Sequence, residues 1–189
     1  MREKIDPRYL LLKIVKILEH LEIPYLITGG IAVLMYGRPR FTADIDIVVE
    51  LQERHIGDLG KNLRKLSDTG YISESEMREA LFRQGEFNYI DSNTGMKVDF
   101  WILKNDAFDR SRLKRKIAMN VLRKRIYFSS PEDLILMKLV WHNITPSDRQ
   151  LDDVRSILKI SGKKLDTKYL KKWAKTLKTL KTLKELMKP

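Results

Sequence analysis

Two aspartates stand one residue apart in an otherwise apolar, strand-like run, DIDIVVE, which follows shortly after a pair of glycines. The aspartates are Asp44 and Asp46, and the glycines are Gly29 and Gly30. Because side chains alternate between the faces of a strand, the two carboxylates point the same way and the isoleucine after each of them faces the core. Carboxylates about 7 Å apart on a half-buried strand repel each other, so the pair needs a positive partner.

This positive partner is either a metal ion or a nearby arginine. The chain has no cysteine, and its three histidines are scattered without ligand spacing, so Mg²⁺ or Mn²⁺ is expected rather than zinc. Asp99, a lone acid in the apolar run KVDFW, supplies a third carboxylate if its strand lies beside that of Asp44 and Asp46. Three such acids can hold metal ions for in-line phosphoryl transfer. The alternative is a structural role, with ion pairs to Arg38 and Arg40.

Gly29 and Gly30 lie where a predicted strand ends and a predicted helix begins. Glycine lets the backbone approach a phosphate closely, and the first N–H groups of a helix are aimed at such an anion. The pair therefore predicts a phosphate cradle, although a Gly-Gly step is also compatible with a simple turn. Arg38 and Arg40, just before the aspartates, either neutralise the β- and γ-phosphates of a nucleotide or are solvated loop residues.

The apolar periodicity predicts a mixed α/β fold, with a small mixed sheet flanked by helices. Helices are expected over residues 6–21, 31–36, 52–68, 73–82, 130–141, 148–160 and 167–177, with a last piece to 187. Strands are expected over 25–28, 44–50, 87–91, 96–103, 117–121 and 126–128, and the polar linker 92–95 predicts a hairpin. The expected division is an α/β domain, 1–128, and a helical C-terminal part, 129–189.

The net charge of +12 is concentrated in two segments, 110–125 and 163–189, which each carry +8, so the rest of the chain sums to −4. Such segments suit a polyanion such as RNA, including the acceptor end of tRNA, or they are solvated helix faces. The sequence has no run of about 18 apolar residues and no cleavable apolar stretch at its start. A cytoplasmic protein without a membrane span is therefore expected.

Two groups of apolar residues are expected to pack rather than to bind a partner. A leucine stripe in the last helices is expected to lie on the protein or on a second subunit, with a membrane surface as the alternative. Its members are Leu177, Leu180, Leu183 and Leu186. The three tryptophans, Trp101, Trp141 and Trp173, are widely spaced and are interpreted as separate core residues rather than a base-stacking platform.

Together these motifs resemble the nucleotidyltransferase superfamily related to DNA polymerase beta. The shared features are a Gly-Gly turn between strand and helix, Asp-x-Asp on the next strand and an Asp on a later strand, here Gly29-Gly30, Asp44-Ile45-Asp46 and Asp99. The form Arg-x-Thr-x-Asp-Ile-Asp over 40–46, with SPEDLILMKL over 130–139, is similar to the branch that contains the AbiEii-type toxins. The resemblance covers roughly residues 10–160.

The resemblance implies a nucleotidyltransferase-like fold in which Asp44, Asp46 and Asp99 are metal ligands and catalytic residues. Asp99 would be the general base or a metal-bridging acid on the side of the nucleophile. The nucleotide-binding residues that it implies are Gly29, Gly30, Arg38, Arg40 and Lys138.

Some positions leave an alternative open or depart from the superfamily pattern. Lys138 matches a lysine of the toxin-like branch, or it is a solvent-facing helix lysine. Arg149 with Asp152 and Asp153 is a candidate match to an acidic helix face that serves the site, but for these two acids a role at the positive end of the helix dipole is favoured. Gly30 stands where the superfamily commonly has serine, so a hydroxyl that could bind phosphate is missing.

The sequence therefore supports two hypotheses. The first is a Mg²⁺-dependent (or Mn²⁺-dependent) enzyme that binds an NTP such as ATP, transfers the NMP to a hydroxyl acceptor, possibly RNA or tRNA, and releases pyrophosphate. The alternative is a non-catalytic or toxin–antitoxin-type binding module that retains the fold. The sequence leaves the NTP, the acceptor and the oligomeric state open.

Overall fold

The computed structural model describes residues 6–188, which form a six-stranded sheet with helices packed around it. The helices are α1 (Pro7–His20), α2 (Gly29–Tyr36), α3 (Ile56–Arg64), α4 (Glu74–Arg83), α5 (Ala107–Lys114), α6 (Pro131–Ile144), α7 (Asp148–Ser161), α8 (Thr167–Thr176) and α9 (Leu180–Leu186). The strands are β1 (Tyr25–Thr28), β2 (Asp44–Val49), β3 (Glu86–Asp91), β4 (Met96–Ile102), β5 (Ile117–Val121) and β6 (Lys124–Phe128).

The sheet has the strand order β3-β4-β2-β1-β6-β5 and mixes parallel and antiparallel pairs. Two strand pairs at the centre of the sheet position the aspartates. Strands β1 and β2 run antiparallel, and strands β2 and β4 run parallel. The predicted hairpin is confirmed, because β3 and β4 are antiparallel neighbours. The predicted mixed α/β fold is confirmed as well.

Alternation along β2 and β4 gives the sheet one fully apolar face and one mixed face. Ile45 and Ile47 of β2 are fully buried in the main core, as the sequence predicted. On the opposite face, Leu26, Val48 and Leu103 form a small second cluster, against which α5 packs. The aspartates of β2 stand on this second face.

N-cap residues recognised in the sequence correctly predicted where several helices begin. Ser73 accepts a hydrogen bond from the Glu76 N–H, and Ser130 accepts one from the Asp133 N–H. The helix expected over 52–68 is shorter, since it begins with a 3₁₀ turn, Glu53–His55, and its α-helical part ends at Arg64.

Helix α5 was not expected from the sequence. It begins after Asp106, whose side chain accepts a hydrogen bond from the Asp109 N–H. Most of its residues are polar, so it shows little of the apolar period on which the prediction depended. The Asp106 cap was the one local signal available.

The C-terminal leucine stripe packs on the protein, as expected. Leu183 is fully buried in the main core, and Leu177, Leu180 and Leu186 are partly buried against it. No helix among residues 6–188 is both long and apolar enough to cross a membrane. Apolar residues of α6 and α7 belong to the same core as those of the strands, and the boundary between 1–128 and 129–189 stays a prediction.

Candidate active site

The acid triad, defined as Asp44, Asp46 and Asp99, comes together through the pairing of β2 with β4. These strands are parallel neighbours, and Asp46 lies directly opposite Asp99. Asp44 lies opposite Lys97 in the same register. The adjacency that the sequence analysis required of the third acid is therefore confirmed, and all three carboxylates belong to one face of the sheet.

Gly29 is required by the approach of the backbone to Asp46. It is the first residue of α2 and adopts a positive φ of 61°. A Cβ atom at this position would overlap the Asp46 carboxylate. Both the backbone angle and the contact thus favour glycine, which brings the first turn of α2 against the acid triad.

Electrostatics at Asp46 favour a nearby cation. Burial raises the pKa of Asp46, and the negative charge of Asp99 raises it further. The Trp101 side chain and the Gly30 N–H act in the opposite direction. An additional positive charge would stabilise the ionised pair, and carboxylate oxygens are suited to a hard divalent cation. The donor set therefore fits the metal that the sequence predicted.

The three carboxylates share one face of the sheet, but their side chains are not arranged around a single metal position. Asp99 is buried and forms an ion pair with Lys97, with 2.9 Å between Nζ and Oδ2. This partner raises the pKa of Lys97. Within residues 6–188, no three His, Cys, Asp or Glu side chains stand close enough together to hold a metal ion as they are placed. Sequence reasoning did not identify Lys97, which reads as an ordinary exposed strand residue.

A buried ion cluster, defined as Arg40, Lys138, Asp153 and Gln150, lies beside the triad. Arg40 donates two hydrogen bonds of 2.7 Å to the two carboxylate oxygens of Asp153. Lys138 lies 2.7 Å from the same carboxylate and donates to Gln150 at 3.0 Å. Asp153 thus fixes two cations that the sequence placed near a nucleotide.

Three sequence interpretations are corrected by this cluster. The structural alternative that paired Arg40 with the strand aspartates is wrong, because Arg40 is held by Asp153. The solvent-facing alternative for Lys138 is wrong as well, since Lys138 is only 6% exposed. Asp153 does not serve the helix N-terminus, because it is buried within α7 and paired with both cations.

The pKa directions of Asp153 and Lys138 reflect both their burial and their pairing. Burial alone would raise the pKa of Asp153, but hydrogen bonds from Arg40 and Lys138 hold it below its ordinary value. Burial lowers the pKa of Lys138, and the Asp153 carboxylate opposes that shift. The cluster is thus stabilised by mutual pairing in a place where each charge alone would be costly.

A cleft of about 650 Å³ lies beside these features. Its wall includes both glycines, Arg40, Asp44, Asp46 and Lys138, whereas Asp99 is buried beside Asp46 and is not among the described residues that line it. Arg38 lies elsewhere: it is exposed, its N–H donates to the Ser156 hydroxyl at 3.3 Å, and it is not among the cleft-lining residues described. Most of the nucleotide-binding residues expected from the sequence therefore share one cavity, and Arg38 does not.

Trp101 and Trp141 form an aromatic wall of the cleft. Their ring centroids lie 4.8 Å apart in an edge-to-face arrangement, and both side chains are half-buried. The prediction that these two tryptophans are separate is therefore wrong, because β4 and α6 bring them together, although Trp101 also packs against the small second cluster, as a core residue does. Trp173 is buried in the core against Phe108, as expected.

The first part of the chain matches a known protein family. Residues 10–105 match the model of the aminoglycoside-2''-adenylyltransferase family. The chain belongs to this family. The matched stretch contains the Gly-Gly turn and the whole acid triad, so the protein is a nucleotidyltransferase. The family does not indicate the AbiEii-type branch and does not favour a non-catalytic module.

Solved structures share the fold at low sequence identity. The antibiotic-resistance factor ANT(2'')-Ia, solved with adenylyl-2''-tobramycin, is 13% identical with a TM-score of 0.60, covering 92% of this chain and 97% of that chain. The lincosamide antibiotic adenylyltransferase LnuA, solved with lincomycin, is 15% identical with a TM-score of 0.52, covering 79% of this chain and 95% of that chain. No curated protein matches the chain.

Thr42 explains why position 30 is a glycine and not the serine common in the superfamily. A Cβ at Gly30 would overlap the Thr42 hydroxyl, which donates a hydrogen bond of 3.4 Å to the Asp44 carbonyl oxygen. Thr42 also lines the cleft. The threonine side chain therefore occupies the space that a serine would need, and sequence reasoning had assigned it no role.

We expect Gly30→Ser alone to raise the KM for the nucleotide, because the new side chain displaces Thr42 and the first turn of α2. The double variant Gly30→Ser, Thr42→Ala should restore much of the loss by making room. Steady-state kinetics with varied ATP would measure both. A single variant with an unchanged KM would contradict the steric explanation.

Proposed function

We propose that the protein transfers AMP from ATP to a hydroxyl group of a small polar acceptor and releases pyrophosphate. The first candidate acceptors are aminoglycoside antibiotics that carry a 2''-hydroxyl group, because the chain belongs to the aminoglycoside-2''-adenylyltransferase family. The observation that carries the proposal is the placement of Asp46 and Asp99 side by side, against the glycine-initiated start of α2.

The reaction needs few covalent changes. The acceptor oxygen attacks the α-phosphorus, the bond from that phosphorus to the oxygen bridging to the β-phosphate breaks, and pyrophosphate leaves. The acceptor proton goes to a carboxylate, and Asp99 is our candidate general base. Its place on β4 directly opposite Asp46, which lines the cleft, supports this role, because a carboxylate fixed there can be held within reach of one hydroxyl.

Asp44, Asp46 and Asp99 would hold a divalent cation, Mg²⁺ or Mn²⁺. Such a cation supplies positive charge to the phosphate oxygens where negative charge develops. The protein's own contribution to the phosphates comes from the Gly29-Gly30 start of α2, where the Thr28 cap makes no side-chain hydrogen bond. The Gly30 N–H already donates to Asp46, so this turn holds the carboxylate as well as facing the phosphates.

Arg40 and Lys138 complete the proposed phosphate site. Both line the cleft, and their pairing with Asp153 fixes their positions before the nucleotide arrives. Prepositioned donors act on the phosphates without the cost of ordering long side chains. Arg38, which is exposed, is proposed only as a peripheral contact to the nucleotide.

The acceptor is proposed to be a small molecule rather than RNA. Four of the eight basic residues in 110–125 form ion pairs within the fold, so that segment offers a polyanion less charge than its composition suggests. These pairs are Arg110 with Glu50, Arg112 with Asp109, Arg115 with Glu132 and Lys124 with Glu19. The aromatic wall of Trp101 and Trp141 suits one face of a ring-containing acceptor.

The test is a transfer assay with ATP labelled at the α-phosphate, divalent cation, and a panel of aminoglycosides, lincosamides and tRNA. We expect label on a small-molecule acceptor and a loss of at least about 100-fold in kcat for Asp46→Asn, the size expected when a transition-state-stabilising group is removed. Asp68→Asn, an exposed acid outside the cleft, is the matched control and should behave as wild type. Label on tRNA alone, or full activity of Asp46→Asn, would overturn the proposal.

A further inference from the structure

Lys97 places a positive charge inside the acid triad. Its Nζ lies 2.9 Å from Oδ2 of Asp99, and in the parallel register it stands opposite Asp44. The two strands therefore put one ammonium group in contact with Asp99 and on the same face of the sheet as Asp44, both of which are proposed to hold the metal.

The two partners in this ion pair differ in mobility. The Lys97 side chain is 45% exposed, whereas that of Asp99 is 10% exposed. A lysine with its stem at the surface can swing its ammonium group to new partners at little cost, while the buried carboxylate is fixed by its strand. Lys97 is therefore the partner that can leave.

We infer that Lys97 is a positioning residue that competes with the divalent cation for Asp99. The inference rests on the proposed function, because it assumes that the triad holds a metal. An ammonium group and a divalent cation at the same carboxylate repel each other, so metal binding to the nucleotide-free protein is weak while Lys97 stays paired.

The nucleotide provides the reason for Lys97 to leave. Its phosphates bring several negative charges into the cleft beside the triad, and these offer the ammonium group an alternative partner. Asp99 is then released to engage the cation and the acceptor hydroxyl. Metal and nucleotide binding are consequently coupled, with each favouring the other.

The direct test is Mn²⁺ binding to nucleotide-free protein, measured by electron paramagnetic resonance of the free ion. We expect Lys97→Met to bind Mn²⁺ at least about 10-fold more tightly than wild type, since the ammonium group that competes with the ion for Asp99 is removed. Lys97→Arg keeps the charge and should bind as wild type does. Lys168→Met, an exposed lysine of α8, makes the same change in net charge away from the triad and is the matched control.

A second comparison separates this inference from a general charge effect. In an Asp99→Asn background, Lys97→Met should produce little further tightening, because the ion pair is already lost. Equal Mn²⁺ affinity of wild type and Lys97→Met would overturn the role of Lys97 and leave the proposed function intact. Failure of Mn²⁺ to bind either protein, with or without ATP, would overturn the proposed metal site and this inference with it.

Discussion

Gly29→Ala should severely lower the rate of nucleotide transfer in a chain that still folds. Alanine at this position must adopt a φ near 61° and overlap the Asp46 carboxylate, so either the start of α2 or the carboxylate has to move. The backbone strain alone costs about 1–3 kcal/mol. A displacement of about 1 Å at a catalytic group can lower a rate about 100-fold, so we expect at least that loss in kcat.

The matched control is Gly57→Ala, in the first turn of α3. A Cβ there has no neighbour within 4 Å and the residue has ordinary helical geometry, so the change should stabilise the protein by about 0.5–1 kcal/mol and leave activity unchanged. Activity assays with thermal unfolding of both variants would decide. Gly29→Ala with wild-type kcat would show that the contact with Asp46 is not needed.

Asp153→Ala should produce the largest loss of stability, about 3–5 kcal/mol. The substitution leaves Lys138 buried and Arg40 half-buried, with no carboxylate to pair with, and removing one partner of a buried ion pair has costs of this size. Denaturant unfolding would measure the change in the free energy of unfolding. Nucleotide affinity should fall in the same variant, because both cations lose the contact that fixes their positions.

Asp152→Ala tests whether the loss of stability in Asp153→Ala comes from the buried ion pairs or from removing any negative charge from α7. Asp152 precedes Asp153 in α7, but its side chain is 71% exposed and pairs with Arg155 at the surface. We expect a change within about 0.5 kcal/mol, as for most exposed ion pairs. Similar losses in the two variants would contradict the assignment of Asp153 as the centre of a buried cluster.

The parts of the site that the sequence predicted are those encoded by short-range pattern. Alternation along DIDIVV places two carboxylates on one face whatever else the chain does, and a lone acid in KVDFW must face the same kind of surface. The Gly-Gly step marks a close backbone approach in the same way. The adjacency of β2 and β4 entered the sequence analysis only as the condition under which Asp99 joins Asp44 and Asp46.

The parts that the sequence did not predict depend on pairings between distant residues. Arg40 and Asp153 are 113 positions apart, and nothing local distinguishes Asp153 from the exposed Asp152 beside it. The contact between Trp101 and Trp141 likewise arises only when α6 and β4 come together in the folded chain. Thr42 was missed because its role is to fill the space beside Gly30, which depends on a close contact within the folded chain.

Ion pairs within the fold reduce the positive charge that the segment 110–125 presents to a partner. The segment 110–125 carries eight basic residues and no acid, yet half of these cations pair with acidic residues elsewhere in the chain. Composition gives the number of charges, whereas the field at the surface depends on which of them remain unpaired. A nucleic-acid interface could not be inferred from composition alone.

We propose that the acid triad and the start of α2 form a working metal–nucleotide site. Calorimetric titration of ATP with Mg²⁺ into wild type and into the double variant Asp44→Asn, Asp46→Asn tests it most directly. We expect wild type to bind ATP in a manner that requires Mg²⁺, and the double variant to lose that requirement together with most of its affinity. Equal, Mg²⁺-independent binding by the two proteins would contradict the claim.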